Sequence, residues 1–370
     1  MDYSLYKQQK LSGRYITTKH TAPLIFKLSE KFDFSEIGSS VKGTPIYKLK
    51  FGSGKKKVLI WSQMHGNEST TTKAVFDLLN FLNGSDELAE KIAYKCEIHI
   101  IPMLNPDGSE AYTRVNHNNI DLNRDAQQLS QPESRVLRHV FETLQPDFCF
   151  NLHDQRTIFN VKGTAKPATV SFLAPSADAE KKLTPARIKA MSLVAAMNDR
   201  LQTIIPGQIG RYDDGFNLNC VGDTFQSMLV PTILFEAGHY PGDYQREKTR
   251  ELIWEALIEA LKQIANDNLV KDRSADYFAI PENDKLFFDI IIYDVPVSEN
   301  GKTDRRDIAV QYKEVLKNNS VVFIPEINGI GSYKNHLSHK KMDYIDYQKD
   351  AIYLNDLDNF WISEFLKDFY

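Results

Sequence analysis

The sequence predicts an α/β fold followed by a small β-rich domain. In the first two-thirds of the chain, short apolar runs alternate with longer amphipathic segments, as expected when strands and helices alternate. After about residue 268 the helical pattern gives way to short aromatic-rich segments, such as residues 285–293. With 370 residues, the chain exceeds one average domain. We therefore expect a first domain over residues 1–268 and a second over residues 269–370.

Four apolar runs predict the central strands of the first domain. Each run is short and rich in branched or aromatic residues, as buried strands are. The runs cover residues 58–63, 97–104, 147–152 and 230–235. Each is followed by polar side chains suited to chemistry. In an open α/β sheet, such side chains meet beyond the carboxyl ends of the strands, so distant segments can share one site.

Apolar residues at three- and four-residue spacing predict helices between these strands. The helical segments are residues 69–82, 132–144, 185–205 and 244–264. Pro132 and Pro185 begin two of them, at the position where a helix tolerates the missing N–H of proline. Helices between successive strands favour an α/β/α sandwich, with a sheet in the middle.

Composition excludes several classes of protein. Apolar residues make up 42% and charged residues 25% of the chain, close to the averages for globular proteins. The net charge of -4, with both signs interspersed, argues against a nucleic-acid partner. No stretch approaches the ~20 apolar residues of a membrane span, and the polar start lacks a signal core. We therefore expect a cytoplasmic protein that binds neither membranes nor nucleic acid, of undetermined oligomeric state.

Two polar segments at strand ends predict a metal site. His65 and Glu68 follow the run 58–63, and His153 follows the run 147–152. Imidazole nitrogens and carboxylate oxygens bind zinc, and a catalytic zinc takes three protein ligands. Alone, the first pair is readily explained as a capping or surface pair, and a lone histidine as structural. Their convergence at one edge of the sheet favours one zinc ion per chain.

An ordered series of motifs resembles the zinc carboxypeptidases, the family of pancreatic carboxypeptidase A. The resemblance covers about residues 34–264. Its six motifs are residues 37–46, His65 to Glu68 (HGNE), Asn105 to Gly108 (NPDG), Asp121 to Arg124 (DLNR), Asn151 to His153 (NLH) and Phe235 with Glu236. The ordered set is specific, although any one motif occurs by accident. It implies a carboxypeptidase-like domain on a mixed twisted sheet, acting as a metallopeptidase that removes C-terminal residues.

The resemblance also implies roles around the metal. His65, Glu68 and His153 match the zinc ligands, and Asp121 matches the acid that accepts the outer N–H of a ligating histidine. Glu236 matches the general base, which takes a proton from water and delivers it to the leaving amine. The alternative for Glu236 is a salt bridge at the sheet edge.

The remaining matches concern the substrate. Arg114 corresponds to the arginine that faces the developing oxyanion. Asn123 and Arg124 match the pair that binds the terminal carboxylate, unless they only form a structural turn. Tyr212 is the nearest match to the family's tyrosine on a mobile loop, and an ordinary surface tyrosine is the alternative. Asp223, in the segment that lines the side-chain pocket, either attracts a basic side chain or caps a helix.

Two other functions fit parts of the sequence. The stretch between Glu68 and His153 looks shorter than in the digestive enzymes, which predicts an open cleft. A zinc amide hydrolase acting on N-acyl amino acids or cell-wall peptides would use the same site. A non-catalytic binding protein on a degenerate scaffold would lack a ligand or the base, and neither is missing. The expected substrate is therefore a peptide or an acyl-amino acid.

Overall fold

The computed structural model describes residues 1–370 except 29, 268, 270, 345–351 and 368–370. The chain divides into two compact units. The first comprises Met1–Gln155 and Val161–Asn283, and the second comprises Arg156–Asn160 and Asp284–Tyr370. The first unit extends past the predicted boundary at residue 268, which lies outside the described residues. The extension contains a short helix whose Tyr277 is buried in the core of this unit.

The described helices are α1 (Thr18–Ile25), α2 (Thr70–Asn83), α3 (Glu87–Lys95), α4 (Pro106–Ala111), α5 (Pro132–Leu144), α6 (Pro185–Gln202), α7 (Val221–Ser227), α8 (Glu247–Ala265), α9 (Ser274–Ala279) and α10 (Asn359–Lys367). In the described parts of the chain, no helix has the length and apolar character needed to cross a lipid bilayer.

The described strands are β1 (Phe32–Ser39), β2 (Pro45–Phe51), β3 (Lys56–Ser62), β4 (Cys96–Ile101), β5 (Phe148–Asp154), β6 (Asn160–Val161), β7 (Val170–Leu173), β8 (Ile209–Arg211), β9 (Thr232–Ala237), β10 (Asn283–Asp284), β11 (Phe287–Glu299), β12 (Lys302–Lys317), β13 (Ser320–Gly331), β14 (Leu337–Asp343) and β15 (Ile352–Tyr353). The four predicted central strands correspond to β3, β4, β5 and β9.

An eight-stranded sheet forms the centre of the first unit, in the order β1-β2-β4-β3-β5-β9-β7-β8. Strands β4, β3, β5 and β9 are parallel to one another. The pairs β1-β2, β2-β4 and β7-β9 are antiparallel. The sheet is therefore mixed, and the predicted α/β fold is confirmed.

Side chains on the two faces of this sheet enter two separate apolar clusters. Val58 and Ile60 of β3 belong to the cluster that includes buried residues of α2, α6 and α8. Leu59 and Trp61 of the same strand belong to the cluster that includes residues of α5 and α7. A strand covered on both faces buries side chains that point either way, which explains the continuous apolar run from Val58 to Trp61.

The second unit is built on a five-stranded sheet. Its order is β13-β12-β11-β14, and β15 also pairs with β11. Helix α10 contributes Ile362 and Phe365 to an apolar cluster with Ile290 and Val310 of the sheet. The β-rich character predicted for the end of the chain is confirmed. Strand β12 was not predicted, because its first half is a run of charged residues.

Candidate metal centre

His65 and Glu68 lie on the loop between β3 and α2, which a close backbone approach holds in place. At Gly66, an added Cβ would lie 1.9 Å from the carbonyl carbon of Gly108 in α4. Only glycine permits this approach. Gln63 leaves β3 in the left-handed region, with φ 49°, and its side-chain amide donates to the Gly66 carbonyl at 2.8 Å. The packing against α4 thus fixes the loop that carries both side chains.

The sheet itself positions His153. In β5, this residue pairs in register with Glu236 of the parallel strand β9. Side chains of in-register neighbours point to the same face, and adjacent strands lie about 4.8 Å apart. Cys149, four residues before His153, marks this face as the one covered by α5 and α7. The histidine and the glutamate are therefore lateral neighbours.

Three potential metal-ligand atoms converge beside this pair. The Nδ1 atoms of His65 and His153 lie 2.9 and 2.8 Å from the two carboxylate oxygens of Glu68 and 3.0 Å from each other. All three side chains are buried, and their ligand atoms lie within 4.8 Å of one another. Two imidazoles and a carboxylate are a donor set of catalytic zinc sites. The group is able to bind one metal ion.

Burial and charge set the protonation of these three side chains. Burial raises the pKa of Glu68, but the two imidazoles outweigh it and hold that pKa well below its usual range. Burial lowers the pKa of His153 despite the Glu68 charge. At His65, the Glu68 charge and the hydrogen bond to Asp121 overcome burial and raise the pKa. These directions favour ionised Glu68 and neutral His153, the forms that bind metal, whereas a metal ion has to displace the proton that His65 favours.

Asp121 connects the ligand cluster to Arg114. One Asp121 oxygen lies 3.0 Å from Nε2 of His65, the ring nitrogen that faces away from Glu68. The other accepts a hydrogen bond from Nε of Arg114 at 3.1 Å, and Nη1 of Arg114 donates to Glu68 at 3.1 Å. A carboxylate on the outer nitrogen fixes the orientation and tautomer of an imidazole. The structure thus brings these two predicted residues into contact with the cluster.

Glu236 is a buried carboxyl group with 9% of its surface exposed. Burial raises its pKa well above the usual range, and the negative charges of Glu68 and Asp154 raise it further, whereas Arg114 opposes them. A raised pKa brings a carboxyl group closer to the range in which it exchanges protons at neutral pH.

Asn123 and Arg124 belong to a short 3₁₀ turn, Leu122–Arg124. The side-chain oxygen of Asn123 accepts a hydrogen bond from the backbone N–H of Val221 at 3.0 Å. Arg124 is exposed. Its Nη1 donates to the Asn123 carbonyl at 2.7 Å and lies 3.2 Å from Sγ of Cys220. The guanidinium is therefore held beside the first turn of α7 and stays accessible.

Tyr212 follows β8 and shares a sheet face with Glu236. Ser171 of β7 pairs with Glu236 on one side and with Gly210 on the other. Because side chains alternate along a strand, Tyr212, two residues beyond Gly210, lies on the same face. Burial raises the pKa of the half-buried Tyr212, and the charges of Glu236 and Glu68 add to the effect. The hydroxyl is therefore protonated and within electrostatic reach of the cluster.

Sequence reasoning missed Asp154, which connects the ligand loop to α2. Its carboxylate accepts from the backbone N–H groups of Thr70 at 2.9 Å and Thr71 at 3.3 Å. Its own N–H donates to Glu68 at 3.1 Å. The predicted strand ended before His153, so the residue after it drew no attention. No signal in the sequence indicates this contact, because Asp154 and the start of α2 are far apart in the chain and meet only through tertiary packing.

The fold and the buried His-Glu-His group define the class of α/β/α metalloproteins. Residues 27–229 match the family model described as zinc carboxypeptidase. The match covers more than half of the chain, and the protein belongs to the zinc carboxypeptidase family. The resemblance inferred from the six sequence motifs is therefore confirmed, together with zinc as the metal of the family.

Named relatives are similar over part of their length. Probable carboxypeptidase 2 of Arthroderma benhamiae is 28% identical over 140 residues, which is 36% of this chain and 25% of the relative. Carboxypeptidase M of Mus musculus is 29% identical over 143 residues, which is 32% of each chain. The chain thus spans about a quarter to a third of the length of these curated relatives.

Solved structures resemble most of the chain. The metallo-carboxypeptidase from Burkholderia cenocepacia has a TM-score of 0.55 at 19% identity, covering 68% of this chain and 70% of that one. The metallo-carboxypeptidase from Pseudomonas aeruginosa, solved with (2-guanidinoethylmercapto)succinic acid, has a TM-score of 0.54 at 17% identity, covering 69% and 70%. At such identities the likeness shows the fold alone.

Proposed function

We propose that this protein is a zinc-dependent metallocarboxypeptidase that hydrolyses the C-terminal amide bond of a peptide. The proposal rests on one observation. His65, Glu68 and His153 converge on one point, and Glu236 lies in register beside His153. The three side chains are the zinc ligands, and their donor atoms are of the types that catalytic zinc takes. Family membership supports the same assignment.

Glu236 acts as the general base in this proposal. Zinc, when bound, supplies a Lewis acid that polarises the scissile carbonyl and lowers the pKa of a water molecule to about 7. Glu236 accepts the proton of the attacking water and passes it to the leaving amine nitrogen. Its buried position keeps that proton away from bulk solvent between the two transfers.

Arg114 stabilises the negative charge that develops on the carbonyl oxygen. Its hydrogen bonds to Glu68 and Asp121 fix the guanidinium before the reaction begins. A preorganised cation stabilises the transition state without paying for reorganisation during the reaction. With 46% of its side chain exposed, Arg114 remains accessible to a substrate.

Arg124, with Asn123 beside it, binds the terminal carboxylate of the substrate. A guanidinium pairs with a carboxylate through two parallel hydrogen bonds, and Arg124 is exposed and locally held. Tyr212 presents a protonated hydroxyl to the same sheet face as Glu236. We assign it to substrate binding.

The substitution Glu236→Gln tests the base. It preserves the size of the side chain but removes its ability to accept a proton. We expect kcat on hippuryl-type peptides to fall by at least about a hundredfold, with one zinc per chain retained by atomic absorption. Glu110→Gln is the matched control, because Glu110 is exposed and pairs with Lys19 at the surface. Absence of bound zinc together with full activity of Glu236→Gln would refute the mechanism.

A zinc amide hydrolase for N-acyl amino acids or cell-wall peptides is the second candidate. The metal cluster and Glu236 suit any amide bond, whereas only Asn123 and Arg124 favour a terminal carboxylate. Relative kcat/KM on hippuryl peptides, their C-terminal amides, N-acyl amino acids and murein peptides separates the two. Arg124→Ala should raise KM only for substrates with a free carboxylate.

A further inference from the structure

A cluster of charged side chains holds the segment that follows Tyr212. The Asp214 carboxylate accepts hydrogen bonds from Nη2 of Arg187 at 2.6 Å and from Nζ of Lys181 at 2.7 Å. The hydroxyl of the buried Ser176 donates to the backbone carbonyl of Asp214 at 2.7 Å. Asp214 is thus connected to three residues that precede β8 in the sequence.

The ion pair with Arg187 is the strongest interaction of Asp214. Arg187 lies in the first turn of α6 with 1% of its surface exposed. Besides Asp214, its guanidinium donates to the carbonyls of Lys181 at 2.7 Å and Ala174 at 3.3 Å. A buried guanidinium strongly needs its carboxylate partner, because an unpaired buried charge is costly. Lys181 is 45% exposed at its side chain, so its ion pair contributes little.

The same segment is also fixed on its other side. The backbone N–H of Tyr212 donates to the Phe172 carbonyl at 3.0 Å, which continues the β7-β8 pairing by one residue. Tyr212 is therefore held between the end of β8 and the Asp214 contacts two residues later. A segment whose backbone is held at both ends loses its freedom when the protein folds, and little of that freedom remains to be lost when a ligand binds.

We propose that Asp214 is a positioning residue, which through Arg187 fixes Tyr212 on the Glu236 face of the sheet before a substrate arrives. The inference rests on the proposed function, because it assigns Tyr212 to the peptide substrate. It predicts that this tyrosine acts from a fixed position, without closure of a loop. Preorganisation of this kind increases the productive fraction of bound substrate.

A double-mutant cycle tests whether Asp214 acts through Tyr212. The zinc-loaded full chain is compared with Asp214→Asn, Tyr212→Phe, the double variant and Lys181→Ala on a hippuryl peptide. We expect Asp214→Asn to lower kcat/KM about tenfold in the wild-type background and less than about twofold in the Tyr212→Phe background. Lys181→Ala, which removes only the exposed partner, should stay within about twofold of wild type.

Hydrogen exchange of residues 212–220 provides a readout that does not depend on activity. Asp214→Asn should speed exchange in this segment about tenfold or more while the rest of the first unit is unchanged. Should Asp214→Asn fail to fold, Ser176→Ala serves instead, because it removes only the hydrogen bond to the Asp214 carbonyl. Ser176→Ala should also speed hydrogen exchange of residues 212–220, but by a smaller factor than Asp214→Asn.

The outcomes separate the two proposals. Equal losses of kcat/KM from Asp214→Asn in both backgrounds, or an unchanged exchange rate at residues 212–220, would overturn the positioning role. A zinc-loaded wild-type protein that cleaves no peptide would refute the proposed function. In that case the exchange rate alone decides whether Asp214 fixes the segment.

Discussion

At the residue scale, Asp121 affects the metal centre through two contacts, one with His65 and one with Arg114. Asp121→Asn keeps the shape of the side chain but removes its charge. The His65 imidazole then keeps only a neutral, weaker acceptor, or faces the amide NH2 group, and Arg114 loses an ion pair. We expect zinc affinity or kcat/KM to fall about 10- to 100-fold. Competition with a chelator measures the first, and steady-state kinetics the second.

Asp125→Asn is the matched control for this substitution. Asp125 lies four residues further along, and its carboxylate accepts hydrogen bonds from Ser130 and Gln131. The variant makes the same change of charge in the same loop, so zinc affinity should stay within about threefold of wild type. Equal losses in both variants would mean that Asp121 acts through loop stability alone.

Asp223 gives a pH dependence of stability that can be isolated. Burial raises its pKa from 3.8 to about 6, against hydrogen bonds from the backbone, and only 8% of its surface is exposed. The raised pKa means that the folded state disfavours the ionised form. The contribution of Asp223 to the stability of the folded protein is therefore complete below about pH 4, and it is lost as the pH rises through about 6.

The substitution Asp223→Asn should remove this pH-dependent loss of stability, because an amide does not ionise. Relative to wild type, the free energy of unfolding of the variant should increase by about 2 kcal/mol between about pH 4.5 and pH 7. Urea unfolding of both proteins at the two pH values measures the difference. A constant difference would show that Asp223 has its ordinary pKa in the folded protein. The carboxylate accepts a hydrogen bond from the backbone N–H of Asn217, and an asparagine oxygen can accept it too.

The sequence was sufficient to predict that His65, Glu68 and His153 gather at one point, but not that Asp154 contacts them. His65, His153 and Glu236 follow or end three parallel strands, and the ends of such strands meet at one edge. The contacts of Asp154 and Asp214 could not be predicted in the same way. Each joins segments whose relative position is set by tertiary packing, and no periodicity in the sequence reports that packing.

At the scale of elements, the loop after β3 depends on its contact with α4. Gly66→Ala would place a Cβ 1.9 Å from the carbonyl carbon of Gly108. Two backbone segments cannot yield as a flexible side chain would. We expect a loss of about 1–3 kcal/mol in the free energy of unfolding, together with weaker zinc binding. Urea unfolding and zinc content after dialysis measure the two effects.

Gly331→Ala is the control for the glycine substitution. An added Cβ at Gly331 meets no atom within 4 Å, so its effect should stay within about 0.5 kcal/mol. If Gly66→Ala were as mild as this control, the close approach of α4 would not be what holds the ligand loop.

The ends of the predicted elements show where sequence patterns are informative. The predicted central strands and the four predicted helices of the first unit agree with the structure to within three residues at each end. Helix α5 agrees at both ends, and Pro132 explains the agreement at its start. Strand β12 was missed, since most of its first residues are charged and exposed and its burial does not alternate along the chain. Antiparallel pairing with β11 on one side and β13 on the other stabilises this segment as a strand.

At the scale of the whole molecule, each unit has its own apolar core. The clusters on the two faces of the eight-stranded sheet contain only residues of the first unit. The third cluster contains only residues of the second unit. His65, Glu68 and His153 all belong to the first unit. The second unit therefore supplies no metal ligand from its described residues, and its contribution to the metal centre can be tested separately.

Ile290→Ala provides that test. Ile290 is 1% exposed in the core of the second unit, so truncation should lower the stability of this unit by about 2–5 kcal/mol. Because the ligands and their cores lie in the first unit, zinc affinity should stay within about threefold of wild type. Ile60→Ala, in the strand that leads to His65, is the matched substitution in the first unit and should weaken zinc binding. Chelator competition at 25 °C compares the three proteins, and a tenfold loss of zinc affinity in Ile290→Ala would mean that the second unit supports the metal centre.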